Sequence, residues 1–409
     1  MEARPCGLCG ELPLGSKPRT RGALPWLQAR PQFSPLASSR SRWHSGFLLG
    51  TERRQRVVVG MSGGVDSSAT AALLQSQGFD VVGVTLKLWP QDCASRAEDK
   101  CCGPQAVMDA RAVCSSLGVP FYLVDEANEF QERVIQYFAD EYRAGRTPNP
   151  CVMCNQHLKF GSLLRRADQL GAEFIATGHF ARLERDDATG RVHLLKGLDP
   201  RKDQSYFLFS LRQDQLKRAI FPLGEKTKSD TREVARHCGL RTADKEESME
   251  ICFVPDNDYG RFLEQSKLVE RHEGEIVDTA GRVLGKHHGI EFFTIGQRRG
   301  LGVAAGRPLY VVELDPALNR VVVGDETDLD RERFSVASTS WIAWDVPPAE
   351  FRCSAKVRYS HPGAAATVIV GEGGRAEVRL DQPARAVTPG QACVFYDGDR
   401  VLGGGWIAR

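Results

Sequence analysis

Apolar and polar positions fall into a regular pattern only from about Arg56 onward. Val57-Val-Val59 is a short apolar run ending in Gly60, a glycine-rich turn follows, and Asp66 to Gln77 continues until Gly78. This predicts a strand, a loop and a helix in succession. Val81 to Leu88 predicts a second strand, Pro104 to Leu117 a helix stopped by Gly118, and Val119 to Val124 a third strand. Asn128 to Arg143 predicts a helix with Phe130, Val134, Tyr137 and Phe138 on one face, and Phe174-Ile-Ala-Thr177 a further strand. Strands alternating with helices indicate an α/β domain with a parallel sheet covered on both faces.

The pattern changes after about Pro255. A short helix near Tyr259–Leu268 precedes short strands separated by Gly, Asp, Asn and Pro turns. Gly274-Glu-Ile-Val, Pro308-Leu-Tyr-Val-Val-Glu, Arg320-Val-Val-Val and Ala355-Lys-Val-Arg-Tyr are examples. Cys393-Val-Phe-Tyr-Asp-Gly-Asp-Arg-Val-Leu predicts a hairpin with an Asp-Gly turn. The expected division is an extension over 1–55, an α/β domain over 56–255, a small mainly-β domain over 256–330 and a second β domain over 331–409. The break between the last two is expected near Asp325–Arg331.

Composition adds little beyond this, except at the front. A chain of 409 residues has room for two or three domains, and a net charge of +2 does not mark a general polyanion binder. No stretch approaches the ~18 apolar residues of a membrane span, so no membrane partner is expected. The first 55 residues are rich in Arg, Ser and Pro, and their only acids are Glu2, Glu11 and Glu52. That composition, without an apolar h-region, suits an organelle transit peptide for the mitochondrial matrix or the chloroplast stroma better than a secretory signal. The other reading is a plain disordered extension.

Gly60 to Ser68 joins a predicted strand to a predicted helix, with Ser62-Gly-Gly-Val-Asp-Ser-Ser68 at its centre. Adjacent glycines let backbone N–H groups turn inward as an anion nest, and the helix N-terminus adds partial positive charge. The serines add hydroxyl donors, and Asp66 can hold Mg²⁺ on bound phosphates. The Gly-Lys-Ser/Thr of a Walker A loop is missing, which disfavours γ-phosphoryl transfer, and the glycine spacing does not fit a dinucleotide fingerprint.

Twelve cysteines in an organellar or cytosolic chain do not suggest a disulfide framework. Cys114, Cys238, Cys353 and Cys393 sit singly among apolar residues and are expected to be buried small hydrophobes. Cys101-Cys102 is too closely spaced to chelate one metal and carries no assigned chemistry. Cys151 and Cys154, in Gly145-Arg-Thr-Pro-Asn-Pro-Cys-Val-Met-Cys-Asn155, form a Cys-x-x-Cys, and Cys252 lies in Glu250-Ile-Cys-Phe253. One thiolate can carry a persulfide that another resolves. Three thiolates can instead hold a [4Fe–4S] cluster with one open iron. A thioredoxin-like dithiol does not fit the Pro-Asn-Pro flank, and zinc lacks a fourth ligand at usual spacing.

Ser62-Gly-Gly-Val-Asp-Ser67 resembles the signature of the ATP pyrophosphatases, which cleave ATP to AMP and pyrophosphate. The wider set resembles the tRNA-specific 2-thiouridylase family, from about Val57 to the C-terminus. It includes Thr147-Pro-Asn-Pro150, Asn155 with Lys159-Phe160-Gly161, Ala176-Thr-Gly-His179, and Lys202-Asp-Gln-Ser-Tyr-Phe207. Ser248-x-x-Ile251-Cys252-Phe253, Thr294-Ile-Gly-Gln-Arg-Arg-Gly300 and Lys356-Val-Arg-Tyr359 complete it. The resemblance implies a Rossmann-like nucleotide domain, a small central domain and a C-terminal β-barrel. It implies ATP contacts from Gly60, Met61, Ser62, Gly63, Gly64, Val65, Asp66, Ser67, Leu86 and Gly178. It places a nucleophile at Cys154, a persulfide carrier at Cys252 and the target base near Asn149, Pro150 and Cys151. Contacts to tRNA are implied for His179, Lys202, Asp203, Gln204, Arg358, Tyr359 and Gln391, and sulfur supply from a cysteine desulfurase. A buried structural role for His179 is the competing reading.

Many family members have Asp at the position of Cys151, so this chain carries a third thiol and both sulfur routes remain open. In the persulfide route, Cys154 attacks the Cys252 persulfide, releasing sulfide or leaving a disulfide. Arg298-Arg299 can touch phosphate or form a solvated turn. The expected activity is ATP-dependent replacement of O2 of a wobble uridine by sulfur. The alternatives are a small-molecule amide-forming relative and a non-catalytic iron–sulfur or RNA-binding module; the cysteines oppose the first, and Asp66 with the loop serines the second.

Overall fold

The computed structural model describes residues 54–88, 103–246, 251–254 and 258–409. Residues 1–53, Cys101-Cys102, Ser248 and Glu250 lie outside them. β1 (Arg56–Gly60) leads through the glycine-rich loop into α1 (Val65–Ser76), followed by β2 (Asp80–Lys87), α2 (Pro104–Leu117) and β3 (Phe121–Asp125). Pro104 suits the first turn of α2, and Gly118 ends it at φ 68°. α3 (Ala127–Phe130) runs through a π-helical stretch into α4 (Gln136–Arg143), filling the helix expected over 128–143. α5 (Pro150–Cys154) passes through a second π-helical stretch, Asn155–Ser162, into α6 (Leu163–Gln169). β4 (Phe174–Ala176), β5 (Ala181–Arg185), β6 (Val192–Lys196), α7 (Gln213–Leu216), β7 (Ala219–Ile220), α8 (Lys228–His237) and α9 (Tyr259–Gln265) complete this part.

The sheet order is β3-β2-β1-β4-β7, parallel throughout. The chain steps from β1 to β2 to β3 on one side and returns to β4 on the other. The crevice outside the carboxyl ends of β1 and β4 is therefore the switch point, where ligands bind in open α/β sheets.

β8 (Gly274–Asp278), β9 (Val283–His287), β10 (Tyr310–Asp315) and β11 (Arg320–Gly324) form a second sheet in the order β10-β11-β8-β9. β12 (Asp330–Trp341), β13 (Glu350–Lys356), β14 (Ala364–Val370), β15 (Ala376–Arg385), β16 (Ala392–Asp397) and β17 (Arg400–Ile407) follow. They run β12-β15-β14-β13-β16-β17, and β12–β17 pairing closes them into a barrel. Closure is tight because β17 carries Gly403-Gly-Gly405; a Cβ on Gly403 would lie 2.3 Å from the Ser340 carbonyl oxygen.

The antiparallel β5–β6 hairpin lies within the nucleotide-binding part yet joins the barrel, with Leu195 opposite Arg400. One apolar cluster accordingly combines Val58, Phe160, Ile175 and Phe209 with Ala392, Val394, Tyr396 and Val401. Among the described residues no disulfide is formed, and no helix is long and apolar enough to cross a membrane. Cys114 and Cys393 are buried and Cys353 half-buried. Cys238, expected inside, is exposed because it caps the end of α8 beyond that helix's last buried residue, Ala235.

Candidate active site

The loop between β1 and α1 folds as its glycines require. Gly63 has φ +70°, and a Cβ there would lie 2.1 Å from the Ala106 carbonyl oxygen. Met61 is pinned to β2: its N–H donates to Val84 O at 2.8 Å, and Thr85 Oγ1 donates to its carbonyl at 2.8 Å. The serines tie loop to helix. Ser67 Oγ accepts the Ser62 N–H at 3.2 Å and donates to Gly64 O at 3.1 Å, while Ser68 Oγ donates to Gly64 O at 2.8 Å. Gly64 caps α1 without a side-chain acceptor, so no cap side chain competes with an anion for the first-turn amides. Gly178, after β4, passes directly over this helix head: a Cβ on it would meet Asp66 Cβ at 2.8 Å and the Ser67 nitrogen at 3.0 Å. Leu86 lies two residues beyond Val84, the partner of Gly60 in the adjacent strand. The loop, the head of α1 and Gly178 thus lie together at the switch point, with Leu86 on the neighbouring strand.

Two lysines that the sequence analysis missed flank the loop. Lys228 Nζ lies 2.6 Å from Asp66 Oδ1 and 5.6 Å from the Phe180 ring centroid. A cation in the first turn of a helix opposes the macrodipole, so the Asp66 carboxylate offsets a local cost. A lysine at the first helical position, inside the capping box of Thr227 and Asp230, was the available signal. Lys245 Nζ donates to Gly63 O at 3.2 Å and to Asp109 Oδ2 at 2.7 Å. Burial alone would raise the Asp109 carboxyl, but Lys245, Gln105 and Arg241 outweigh it and hold it below the usual carboxylate range. Nothing in the charged stretch around Lys245 distinguishes that lysine in advance.

Cys154 and Cys252, nearly a hundred residues apart in sequence, pack against the same aromatic cluster, as does Leu86. Phe253 anchors the Cys252 segment there, with its ring centroid 5.1 Å from Phe138, 5.4 Å from Phe262 and 5.7 Å from Phe130. Both cysteines are half-buried; Cys151, one turn earlier on α5, is exposed and outside the cluster. Among the described residues no three His, Cys, Asp or Glu side chains converge as a metal-holding set.

Asn149 is buried at the head of α5, and Pro150 occupies the first helical position. The barrel holds their loop: Gln391 Nε2 donates to the carbonyls of Thr147 at 3.1 Å and Pro148 at 3.2 Å, and Thr147 N–H donates to Pro389 O at 2.8 Å. Gln391 therefore positions the Asn149–Cys151 segment. Asn155, next to Cys154, donates to Phe207 O at 3.0 Å. The Phe207 ring packs at a tilt of 35° against Tyr359, centroids 4.6 Å apart, and Lys356 Nζ lies 5.8 Å from the Tyr359 centroid. Tyr359, 41% exposed, forms an aromatic shelf that can receive a base.

Other expected RNA contacts are occupied internally. Asp203 is buried, accepting from the N–H groups of Gly197 and Ser205 and from Ser205 Oγ, each at 3.0 Å. Gln204 Oε1 accepts the Phe180 N–H at 3.0 Å, while Lys202 is half-buried. Arg358 Nη1 donates to Arg385 O at 2.9 Å. His179 is 6% exposed, its Nδ1 2.7 Å from Thr177 Oγ1 and its ring between Phe160 and Phe221. Burial, and secondarily Lys159, pushes its pKa well below the ordinary histidine value, so it is a neutral core residue at physiological pH.

A parallel sheet with a Gly-Gly nest and a carboxylate at its switch point defines the chain as a PP-loop nucleotide enzyme of the ATP pyrophosphatase class. Family profiles match throughout: a tRNA methyl transferase HUP domain at 55–256, a tRNA methyl transferase PRC-barrel domain at 261–325 and an aminomethyltransferase β-barrel domain at 331–407. The tRNA-specific 2-thiouridylase MnmA of Geobacter metallireducens is 52% identical over 87% of this chain and 97% of its own length. The protein of the same name from Heliobacterium modesticaldum is 50% identical over 87% and 93%. The chain belongs to the tRNA-specific 2-thiouridylase family. A solved 4-thiouridine synthetase–RNA complex with bound ATP is far more distant, at 19% identity and TM-score 0.35 over 52% of this chain and 51% of that one.

Proposed function

We propose that this chain is a tRNA uridine 2-sulfurtransferase that adenylates O2 of a wobble uridine with ATP and replaces it with sulfur. The observation that carries this reading is that Cys154 and Cys252 meet on one cluster whose neighbour Leu86 borders the nucleotide crevice. Family membership supports it, as does the aromatic shelf at Tyr359.

The target base is turned out of its stack toward the Asn149–Cys151 segment, at a cost of roughly a few kcal/mol. Its O2, carrying the charge left when N3 loses its proton, attacks the α-phosphorus and expels pyrophosphate. The loop amides stabilise the departing charge. Asp66, which already holds the Lys228 ammonium, is the residue suited to bind Mg²⁺; the ion when bound neutralises phosphate charge. The terminal sulfur of a Cys252 persulfide then adds to C2, and AMP leaves with the former O2. Attack of the Cys154 thiolate on Cys252 Sγ forms a Cys154–Cys252 disulfide and releases the thiolated base. The two thiols supply the electron pair that reduces the transferred sulfur. Each cycle therefore consumes a thiol reductant and a fresh persulfide, of the kind a cysteine desulfurase provides.

The test combines full-length protein, unmodified tRNA, Mg²⁺-ATP, a reductant, and cysteine with a desulfurase. The expected products are AMP, pyrophosphate and a uridine whose mass records exchange of oxygen for sulfur. AMP release driven by a small metabolite and not by tRNA would overturn the reading. We also propose that residues 1–55 direct the protein to an organelle, on their Arg- and Ser-rich, acid-poor composition. Fusion of that segment to a fluorescent protein should give mitochondrial or plastid fluorescence, and diffuse signal would refute it.

A further inference from the structure

We propose that the Gln297–Gly300 turn of the central domain is an RNA phosphate-binding element whose contacts are Arg298 and Arg299; the inference rests on the sulfurtransferase reading.

The turn is rigid for its size. Gln297 Oε1 accepts the Thr294 N–H at 3.1 Å, and its Nε2 donates to Arg299 O at 3.0 Å. Backbone bonds of 2.8 Å from Gly296 to Val311 and 2.9 Å from Val311 back to Gln297 fix it to β10. Arg298 and Arg299 both point into solvent. Several other arginines of the two β domains are engaged by acids, such as Arg282 with Asp278, Arg307 with Asp325, Arg320 with Glu275, Arg352 with Asp381 and Arg385 with Glu326, although exposed Arg333 and Arg375 are not. Among the described residues, no carboxylate pairs with Arg298 or Arg299. Two neighbouring guanidinium groups thus keep their donors for an outside anion, and their planar fork matches a phosphodiester.

The turn is also tied to both halves of the site. Thr294 Oγ1 lies 3.3 Å from the Tyr259 hydroxyl, and Tyr259 stacks on Tyr142 with centroids 4.5 Å apart. Both tyrosines belong to the cluster that carries Cys154 and Cys252. On the other side, a Cβ on Gly296 would lie 3.3 Å from Ala386 Cβ, next to the Arg385 carbonyl that accepts from Arg358, the neighbour of Tyr359. The turn therefore lies between the cluster that carries the cysteines and the strand end that holds Arg358, next to Tyr359. That adjacency favours RNA over an acidic protein as the partner, because a shelf for bases and a fork for phosphates serve one strand.

The test is the full-length R298A/R299A double variant, measured for tRNA binding between about 50 and 200 mM salt. Loss of two phosphate contacts should weaken binding and flatten the slope of log affinity against log salt by roughly 1.5 to 2. KM for tRNA should rise while kcat at saturating tRNA, KM for ATP and the melting temperature stay as in the wild type. Unchanged affinity and slope would overturn the proposal. So would a defect confined to sulfur delivery by the desulfurase, which would assign the arginines to an acidic protein. Wild-type protein that binds tRNA without thiolating it would instead refute the sulfurtransferase reading, leaving the salt slope to decide the arginines.

Discussion

Gly178 passes close over the head of α1, and Gly178→Ala turns that approach into a measurement. The new methyl would sit 2.8 Å from Asp66 Cβ, 2.9 Å from the Asp66 carbonyl carbon and 3.0 Å from the Ser67 nitrogen. Two of these atoms are backbone, so no side-chain rotation relieves the clash; the helix head must move by roughly half an ångström. Gly178 is outside the left-handed region, so the alanine carries no φ penalty that would confuse the result. Overpacking of this kind costs about 1–3 kcal/mol of stability. Misplacing reacting groups by about 1 Å costs roughly a hundredfold in rate, so half that distance predicts about a tenfold fall in kcat/KM for ATP, or about 1.4 kcal/mol. The assay is AMP formation from α-labelled ATP with tRNA saturating, with tRNA affinity as control. An alanine variant within about twofold of wild type in kcat/KM, with its melting temperature unchanged, would refute the claim that this approach sets the loop.

Three further outcomes follow from the geometry. Cys252→Ala should abolish thiolation while tRNA-dependent AMP formation persists, and near-wild-type thiolation would remove Cys252 from the sulfur path. Lys228→Met removes the ammonium paired with Asp66 and should raise KM for ATP roughly ten- to hundredfold, from a charge-assisted bond worth about 1.5–3 kcal/mol, with tRNA affinity unchanged; an unaltered KM refutes a part for this pair in ATP binding. His179 is held neutral, its folded pKa below the unfolded value of about 6.5, so the stability it permits is complete above that pH and declines as pH falls below it, by up to about 1.4 kcal/mol per pH unit. In His179→Gln that part of the acid slope should vanish, and equal slopes for the two proteins between pH 7.5 and 5.5 would contradict it.

The loop, the order of the first strands and the Cys-x-x-Cys were legible because each is a local pattern with its own punctuation: Gly60 to Gly64, Gly118, and Pro148 to Pro150. The β5–β6 hairpin was not anticipated. Its strands are short and polar at one end, and their partner, β17, lies some two hundred residues later. Asp203, Gln204 and His179 were expected on the RNA side, yet the structure occupies them with internal hydrogen bonds or core packing, since burial is decided by tertiary neighbours that a motif does not display. Lys228 and Lys245 escaped for the same reason: both reach the loop across more than 160 residues.

The shared cluster ties the order of synthesis to the chemistry. Val58 and Ile175 of the nucleotide-binding sheet complete their packing with Val394, Tyr396 and Val401. The ribosome makes those residues long after the sheet, so a growing chain keeps an open apolar flank until they emerge. A message cut short before Ala392 leaves that flank of the nucleotide-binding sheet uncovered.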